Sequence, residues 1–195
     1  MKNECFALFD LWFTEARSCS QIVDATSFSL ATSTPNGAPS VRILLLKNFE
    51  IDGFSFFTNK LSKKGQNLLQ NPLASMCFYW EALGKQIRIE GVVRELDESK
   101  NDEYFFSRRK ESQIGAIASR QSQKVESYET FLHEYEKLSD SIGDKIERPP
   151  HWGGFILLPT YVEFWQNGDF RLHKRTVYER DNSSTDQWSV STLYP

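Results

Sequence analysis

The chain has 195 residues, 25% of them charged and 39% hydrophobic, with a formal net charge of −3. The length suits one globular unit with a real core and is short for two catalytic domains of ordinary size, and the composition excludes a disordered chain. Mild acidity gives no general reason to bind nucleic acid or an anionic membrane, so any anionic ligand must be held by local clusters of Lys and Arg.

Cys5, Cys19 and Cys77 have no metal-type spacing and read as reduced thiols of a cytoplasmic protein. Aromatic residues reach 14%, with 15 Phe, which suits a β-rich core and a site for a planar ligand. The apolar run Phe6–Phe13 is broken by Asp10 and followed by Glu15 and Arg17, so it is neither a signal peptide nor a membrane span. Phe6, Leu8, Phe9, Trp12 and Phe13 predict an amphipathic helix over 4–17, within an N-terminal segment 1–20. Residues 27–32 and 40–46 alternate like strands around Asn36-Gly37 and read as a β-hairpin. A strand over 54–58 follows the turn Asp52-Gly53, and Ser62 caps a helix that ends at Asn71-Pro72.

Strands are expected over 73–80 and 85–94, around a short turn at 81–84. Helices are expected over 97–106, 111–119 and 128–138, and a surface loop over 139–150. Four more strands are expected, over 154–158, 161–166, 171–179 and 187–193. Many short, mostly antiparallel strands joined by hairpin turns favour a closed or half-closed barrel over a doubly wound sheet. No Gly-rich loop of the dinucleotide or nucleoside-triphosphate type is present.

Five stretches carry candidate chemistry. In Arg42-Ile43-Leu44-Leu45-Leu46-Lys47, alternation sends Arg42 and Lys47 to opposite faces, where they would serve different anions. Thr58 through Lys63 and Lys64 joins a strand to a helix N-terminus, where backbone N–H groups suit a phosphate. Tyr104, Arg108 and Ser112 offer a phenol, a guanidinium and a hydroxyl to one phosphate. Gln121 and Ser122 lie in a polar loop that says little by itself. Glu163-Phe164-Trp165-Gln166 precedes Arg171-Leu172-His173-Lys174-Arg175, where a strand would place residues 171, 173 and 175 on one face beside a large flat ring. His133, His151 and His173 lack zinc-ligand spacing, and no Gly-x-Ser-x-Gly elbow is present.

With this last stretch the chain resembles the pyridoxine (pyridoxamine) 5′-phosphate oxidase family, from about Phe6 to Pro195. Glu163–Arg175 looks like that family's signature. The Arg42–Lys47 run, Thr58 with Lys63-Lys64, Gln86, Ser112–Gly115, Gln121-Ser122 and Trp152-Gly153-Gly154 match in the same order. The resemblance implies a split β-barrel, mainly β with flanking helices, forming one FMN-binding domain over 1–195 and a homodimer with FMN at the interface. It implies an oxidase that makes pyridoxal 5′-phosphate from pyridoxamine or pyridoxine 5′-phosphate and passes electrons to O2, with no metal.

Carried over, Arg42, Lys64 and Ser122 would hold the FMN phosphate with Thr58, Lys63 and Gln121. Ile43, Leu44, Leu45, Leu46, Lys47 and Phe57 would line the cofactor, and Gln86, Trp165 and Arg175 would contact its ring. Lys47, Tyr104, Arg108 and Ser112 would bind the substrate phosphate. Arg171 and His173 would be catalytic, sitting over the reacting carbon, with Leu172 between them. Lys63 departs from the usual Arg and Lys174 from the usual acid or amide, Thr192–Pro195 lacks a usual Arg, and the N-terminal arm is expected to be short. The alternative is another split-barrel flavoprotein, either a flavin reductase or a non-catalytic flavin or pyridoxal-phosphate binder.

Overall fold

The computed structural model describes residues 4–50, 53–143, 146–182 and 187–195. Helix α1 (Glu4–Ser18) buries Cys5, Phe6, Phe9, Trp12, Phe13 and Ala16, the 3–4 spacing of one helical face. Among the described residues nine strands follow: β1 (Ser27–Ser33), β2 (Pro39–Leu45), β3 (Asn48–Glu50), β4 (Gly53–Asn59), β5 (Leu73–Trp80), β6 (Lys85–Glu95), β7 (Trp152–Gln166), β8 (Lys174–Glu179) and β9 (Ser189–Thr192). They form one antiparallel sheet in the order β2-β1-β5-β6-β7-β4-β3, with β8 paired to β7 and β9 to β8.

Strand β7 explains why this barrel is split. One of its edges pairs with β6 from Phe155 to Gln166. The other edge is shared, with Trp152–Leu157 on β4 and Tyr161–Gln166 on β8, so the sheet parts into two arms. At the parting point Glu90 faces Tyr161 while Gly91 faces Pro159, which leaves Thr160 as a bulge. A bulge bends the strand and tolerates a proline that cannot donate to the ladder.

Inside the curl Leu30, Phe56, Met76, Phe78, Ile87, Ile89, Leu157 and Val162 are fully buried. Helix α1 adds to this core. The Phe9 ring lies 4.8 Å from those of Phe49 and Phe54 and 5.5 Å from that of Phe78. Burying one such side chain contributes roughly 1.5–3 kcal/mol, and truncating it to Ala costs about 3–5 kcal/mol. Lys85 fastens the helix from outside by pairing with Glu15 and lying 4.8 Å over the Trp12 ring.

Among the described residues four further α-helices follow: α2 (Lys63–Gln70), α3 (Glu98–Ser107), α4 (Lys110–Ala118) and α5 (Tyr128–Ser141). Ser62, Asp97 and Ser127 cap α2, α3 and α5 by accepting a backbone N–H three residues on. Among the described residues no helix is long and apolar enough to cross a membrane.

Four expectations are corrected. Residues 154–158 and 161–166 are one strand, because the bulge absorbs Pro159. The strand expected over 171–179 begins only at Lys174. Asp169–Arg171 form a 3-10 turn, and Phe170 and Arg171 take φ of 55° and 64°. Lys47 lies beyond the end of β2, so it is not the opposite-face partner of Arg42 within one strand, and the short strand β3 follows it. Helix α5 takes the first residues of the loop expected over 139–150, of which 144–145 lie outside the described residues. Asp52 of the expected Asp52-Gly53 turn lies outside them too.

Candidate active site

Three groups of the expected residues gather. The first stands where β4 ends and α2 begins. Lys64 is 7% exposed, and its Nζ donates to Gln121 Oε1 at 2.8 Å and to Thr58 Oγ1 and Ser62 Oγ at 3.1 Å each. None of these three partners is a carboxylate. Burial, then the charge of nearby Arg42, pushes the Lys64 pKa down to about 8. Arg42 is held in the same manner, donating to Leu30 O, Thr32 Oγ1, Ser40 O and Ser40 Oγ at 2.8–3.0 Å. Two neighbouring cations with neutral partners at a helix N-terminus fit a phosphate dianion.

The second group is a row across the outer face of the sheet. Directly opposed residues of an antiparallel pair point to the same side. Tyr79 opposes Gln86, Gln86 opposes Trp165, and Trp165 opposes Arg175. Their neighbours Ile87 and Phe164 point the other way, into the core. An amide, an indole and a guanidinium in line offer a flat face and hydrogen-bond donors to a planar ring. His173 joins this row from the β7–β8 turn, its ring 4.6 Å from that of Trp165. Its Nδ1 accepts from Gly168 N at 3.3 Å, so the neutral imidazole carries its proton on Nε2. A Cβ on Gly168 would meet Leu172 O at 2.2 Å, so this tight turn requires glycine.

The third group is an aromatic stack with two cations. The Phe57 ring lies 4.1 Å from that of Tyr104 and 5.3 Å from that of Trp152, nearly parallel to both. Lys47 Nζ lies 5.8 Å from the Tyr104 ring centre, and the Arg108 guanidinium 4.9 Å from that of Trp152. Burial lowers the Arg108 pKa, and among the described residues its buried Nη1 has no hydrogen-bond partner. Such a donor is costly unless an acceptor meets it, and a phosphate oxygen is one. A cavity of about 310 Å³ opens beside Lys47, Phe57 and Tyr104. The stack needs Gly154, where a Cβ would lie 2.6 Å from Phe57 Cε1. Arg148 holds the approach to β7 by binding Asp102 and Trp152 O and pairing with Glu98.

Other expected residues are not gathered. Lys63, Ser112 and Ser122 are exposed, and Ser122 takes a φ of 73°. Ile43 and Leu45 point to the face opposite Arg42 and Leu44, and Leu46 is buried in the core. Arg171 and Leu172 are exposed in the turn rather than aligned with His173 on a strand. Sequence reasoning gave no chemical role to Arg88, Trp152 or Glu163, and took Ser62 only as a helix cap. Trp152 and Glu163 stood in the stretches that carry the family resemblance, and the contacts of all three need the register. Alternation also puts the phosphate-type cluster and the ring-type row on opposite faces of one sheet.

Comparison with known proteins identifies the family. The pyridoxamine 5′-phosphate oxidase model matches residues 16–140, and a model described as the pyridoxine 5′-phosphate oxidase C-terminal dimerisation region matches residues 152–195. The chain is 43% identical over 196 residues to a pyridoxine/pyridoxamine 5′-phosphate oxidase of Gluconobacter oxydans, covering 100% of this chain and 96% of that protein. It is 44% identical over 190 residues to one from Burkholderia thailandensis, covering 97% and 88%. Among solved structures, PhzG from Burkholderia lata in complex with tetrahydrophenazine-1-carboxylic acid aligns with a TM-score of 0.89 and 31% identity, over 97% of this chain and 92% of that one. An FMN binding protein from Nostoc punctiforme, related to pyridoxamine 5′-phosphate oxidase, shares the fold at a TM-score of 0.78 and 23% identity, over 97% and 96%. With a matched model over most of its length and relatives above 40% identity along all of it, the chain belongs to the pyridoxamine 5′-phosphate oxidase family.

Proposed function

We propose that this chain is an FMN-dependent oxidase that converts pyridoxamine 5′-phosphate or pyridoxine 5′-phosphate to pyridoxal 5′-phosphate, as a cytoplasmic homodimer built from one split-barrel domain per chain. The observation that carries the reading is the pair of separate anion sites, one at Lys64 and Arg42 and one at Arg108 and Lys47. A phosphorylated cofactor and a phosphorylated substrate require two. When bound, FMN supplies the acceptor for a hydride from the substrate's 4′ carbon and is reoxidised by O2 to give H2O2.

The chain's own residues do the rest. Lys64, Arg42, Thr58 and Gln121 hold the cofactor phosphate, with Lys63 and Ser122 closing in from the surface. Gln86, Trp165 and Arg175 meet the ring, and Arg175 stabilises the negative charge that develops there. Lys47, Tyr104, Arg108 and Ser112 anchor the substrate phosphate. Arg171 and His173 orient the substrate, the latter as an Nε2–H donor, and positioning of this kind lowers a barrier by several kcal/mol.

A second reading takes a polycyclic aromatic carboxylic acid as substrate, favoured by the likeness to PhzG and its bound acid. One assay separates the two: aldehyde formation from pyridoxamine 5′-phosphate in air, beside oxygen uptake with tetrahydrophenazine-1-carboxylic acid. Turnover of the phosphate ester supports the first reading. Oxygen uptake with the acid alone refutes it.

A further inference from the structure

Beside the Gln86–Trp165–Arg175 row runs a second row on the same face, in which Cys77 opposes Arg88, Arg88 opposes Glu163 and Glu163 opposes Val177. Glu163 is 1% exposed. Its Oε1 accepts from Arg175 Nε at 2.7 Å, and its Oε2 from Tyr161 Oη at 3.0 Å and Arg88 Nη1 at 3.1 Å. Arg88 is steadied in turn, donating from Nη2 to Glu90 Oε1 at 2.6 Å. Burial works to raise the Glu163 pKa, but the hydrogen bonds from Arg175 and Tyr161 and the charges of both arginines outweigh it and hold the carboxyl below its ordinary range.

This arrangement is not explained by stability. Buried ion pairs are often replaced by apolar groups at no cost, because desolvation cancels most of the attraction. It is explained by geometry. Arg175 has a long, flexible side chain that emerges from a strand near the chain's end. Its Nε is taken by Glu163 and its Nη1 donates to Tyr194 O at 3.0 Å. Two bonds from different directions fix the plane of a guanidinium.

We infer that Glu163 is a positioning residue for the reaction: anchored by Arg88 and Tyr161, it fixes the guanidinium of Arg175 in the orientation that meets the flavin ring. The inference rests on the reading that Arg175 contacts the flavin. Its consequence is that the cation at the ring is set by a carboxylate that itself never touches cofactor or substrate. Without that carboxylate Arg175 samples other rotamers, and its charge no longer sits where the reduced ring needs it.

The test uses FMN-loaded Glu163→Gln, Arg175→Ala and the double variant. It measures the midpoint potential of bound FMN by dye equilibration, and kcat and KM for pyridoxamine 5′-phosphate. Arg175→Ala is expected to lower the potential. Glu163→Gln should lower it in the same direction by about 30 mV, which is a tenfold change for a two-electron couple. It should cut kcat about tenfold with KM within about twofold of the parent. The double variant should be no worse than Arg175→Ala alone, because the two residues act as one unit. Glu163→Asp, which keeps the charge but shortens the reach, should fall between.

Parent potential and kcat in Glu163→Gln, with both changed in Arg175→Ala, would make Glu163 merely structural. A raised potential would refute positioning too, since it would show an uncompensated Arg175 still in place. If Arg175→Ala leaves the potential unchanged, the flavin contact itself is wrong and the inference falls with it. Should Glu163→Gln not fold, Arg88→Gln carries the test from a side chain 40% exposed. A smaller fall in potential is expected there, and no fall overturns the inference.

Discussion

Lys64 gives the sharpest prediction for cofactor binding. It is buried against three neutral oxygens, and its pKa is pushed down to about 8 by burial and by Arg42. Only the protonated amine attracts a phosphate. Below pH 8 the cation is already present in the free protein. Above pH 8 the free protein loses the proton, and binding FMN must take it up again, so affinity falls as pH rises. A phosphate monoester is fully ionised above about pH 7, its second pKa being near 6. The pH dependence from 7 upward is therefore that of Lys64. For a group with a pKa of about 8 the dissociation constant of FMN should rise about tenfold between pH 7 and pH 9. Replacing Lys64 by Met removes one charge-assisted hydrogen bond of roughly 1.5–3 kcal/mol, which is about 10- to 150-fold in affinity at pH 7. It should also flatten the pH dependence. Titrating FMN fluorescence with apoprotein at pH 7, 8 and 9 measures both effects. Parent affinity in Lys64→Met, or a parent constant that does not change from pH 7 to 9, would refute the assignment.

The substrate side gives two further expectations. Arg108→Ala and Lys47→Ala should each raise KM for pyridoxamine 5′-phosphate about tenfold or more with kcat largely kept, since a remote phosphate contact is made equally in ground and transition states; steady-state kinetics read this directly. Arg171→Ala should retain FMN, judged by the absorbance of the purified protein, while kcat/KM falls on the order of a hundredfold. Arg171→Lys should restore only part, because a point charge does not reproduce the planar fork.

The sequence revealed most where local physics dominates. The apolar spacing of α1, the turn at Asn36-Gly37 and the cap at Ser62 all follow from side chains within a few residues of one another. The candidate residues stand out in the sequence through their ordered match to the family rather than singly, since a cation at a strand end is ordinarily solvated. Illegible were the features that depend on pairing. The bulge at Thr160 is set by the register between β6 and β7, so alternation alone read β7 as two strands. The turn before β8 is set by the close contact of Gly168 with Leu172 O and by two left-handed residues, so a period of two carried the strand too far back, to Arg171. Glu163 was visible as a letter of a motif, but its role needs Arg88 and Arg175 on the strands to either side.

The placement of the two groups proposed to hold FMN has a consequence for assembly. Arg42 shares the inner face of the sheet with Leu30 and Leu44, whereas Gln86, Trp165 and Arg175 share the outer face with the exposed side chains of Ile43 and Leu45. One FMN cannot meet both sets in a single copy without passing through the strands. A second copy related by a two-fold axis solves this, since its outer row can cover the first copy's phosphate cluster and the reverse holds at the symmetric site. The exposed Val41, Ile43 and Leu45 offer apolar area for such a contact, and the matched dimerisation region carries both Trp165 and Arg175. Composite sites predict complementation. Lys64→Met at an FMN concentration that leaves it unloaded, and Arg175→Ala, should each be poorly active alone. In a dimer of one with the other, the cluster of the second variant meets the row of the first, which makes one intact site, while the other site carries both changes. Random exchange of equal amounts makes about half the dimers mixed, so about a quarter of all sites should recover parent turnover. Native mass spectrometry confirms the exchange. Mixed dimers that recover no activity would show that each copy builds its own site, and the opposite-face argument would be wrong.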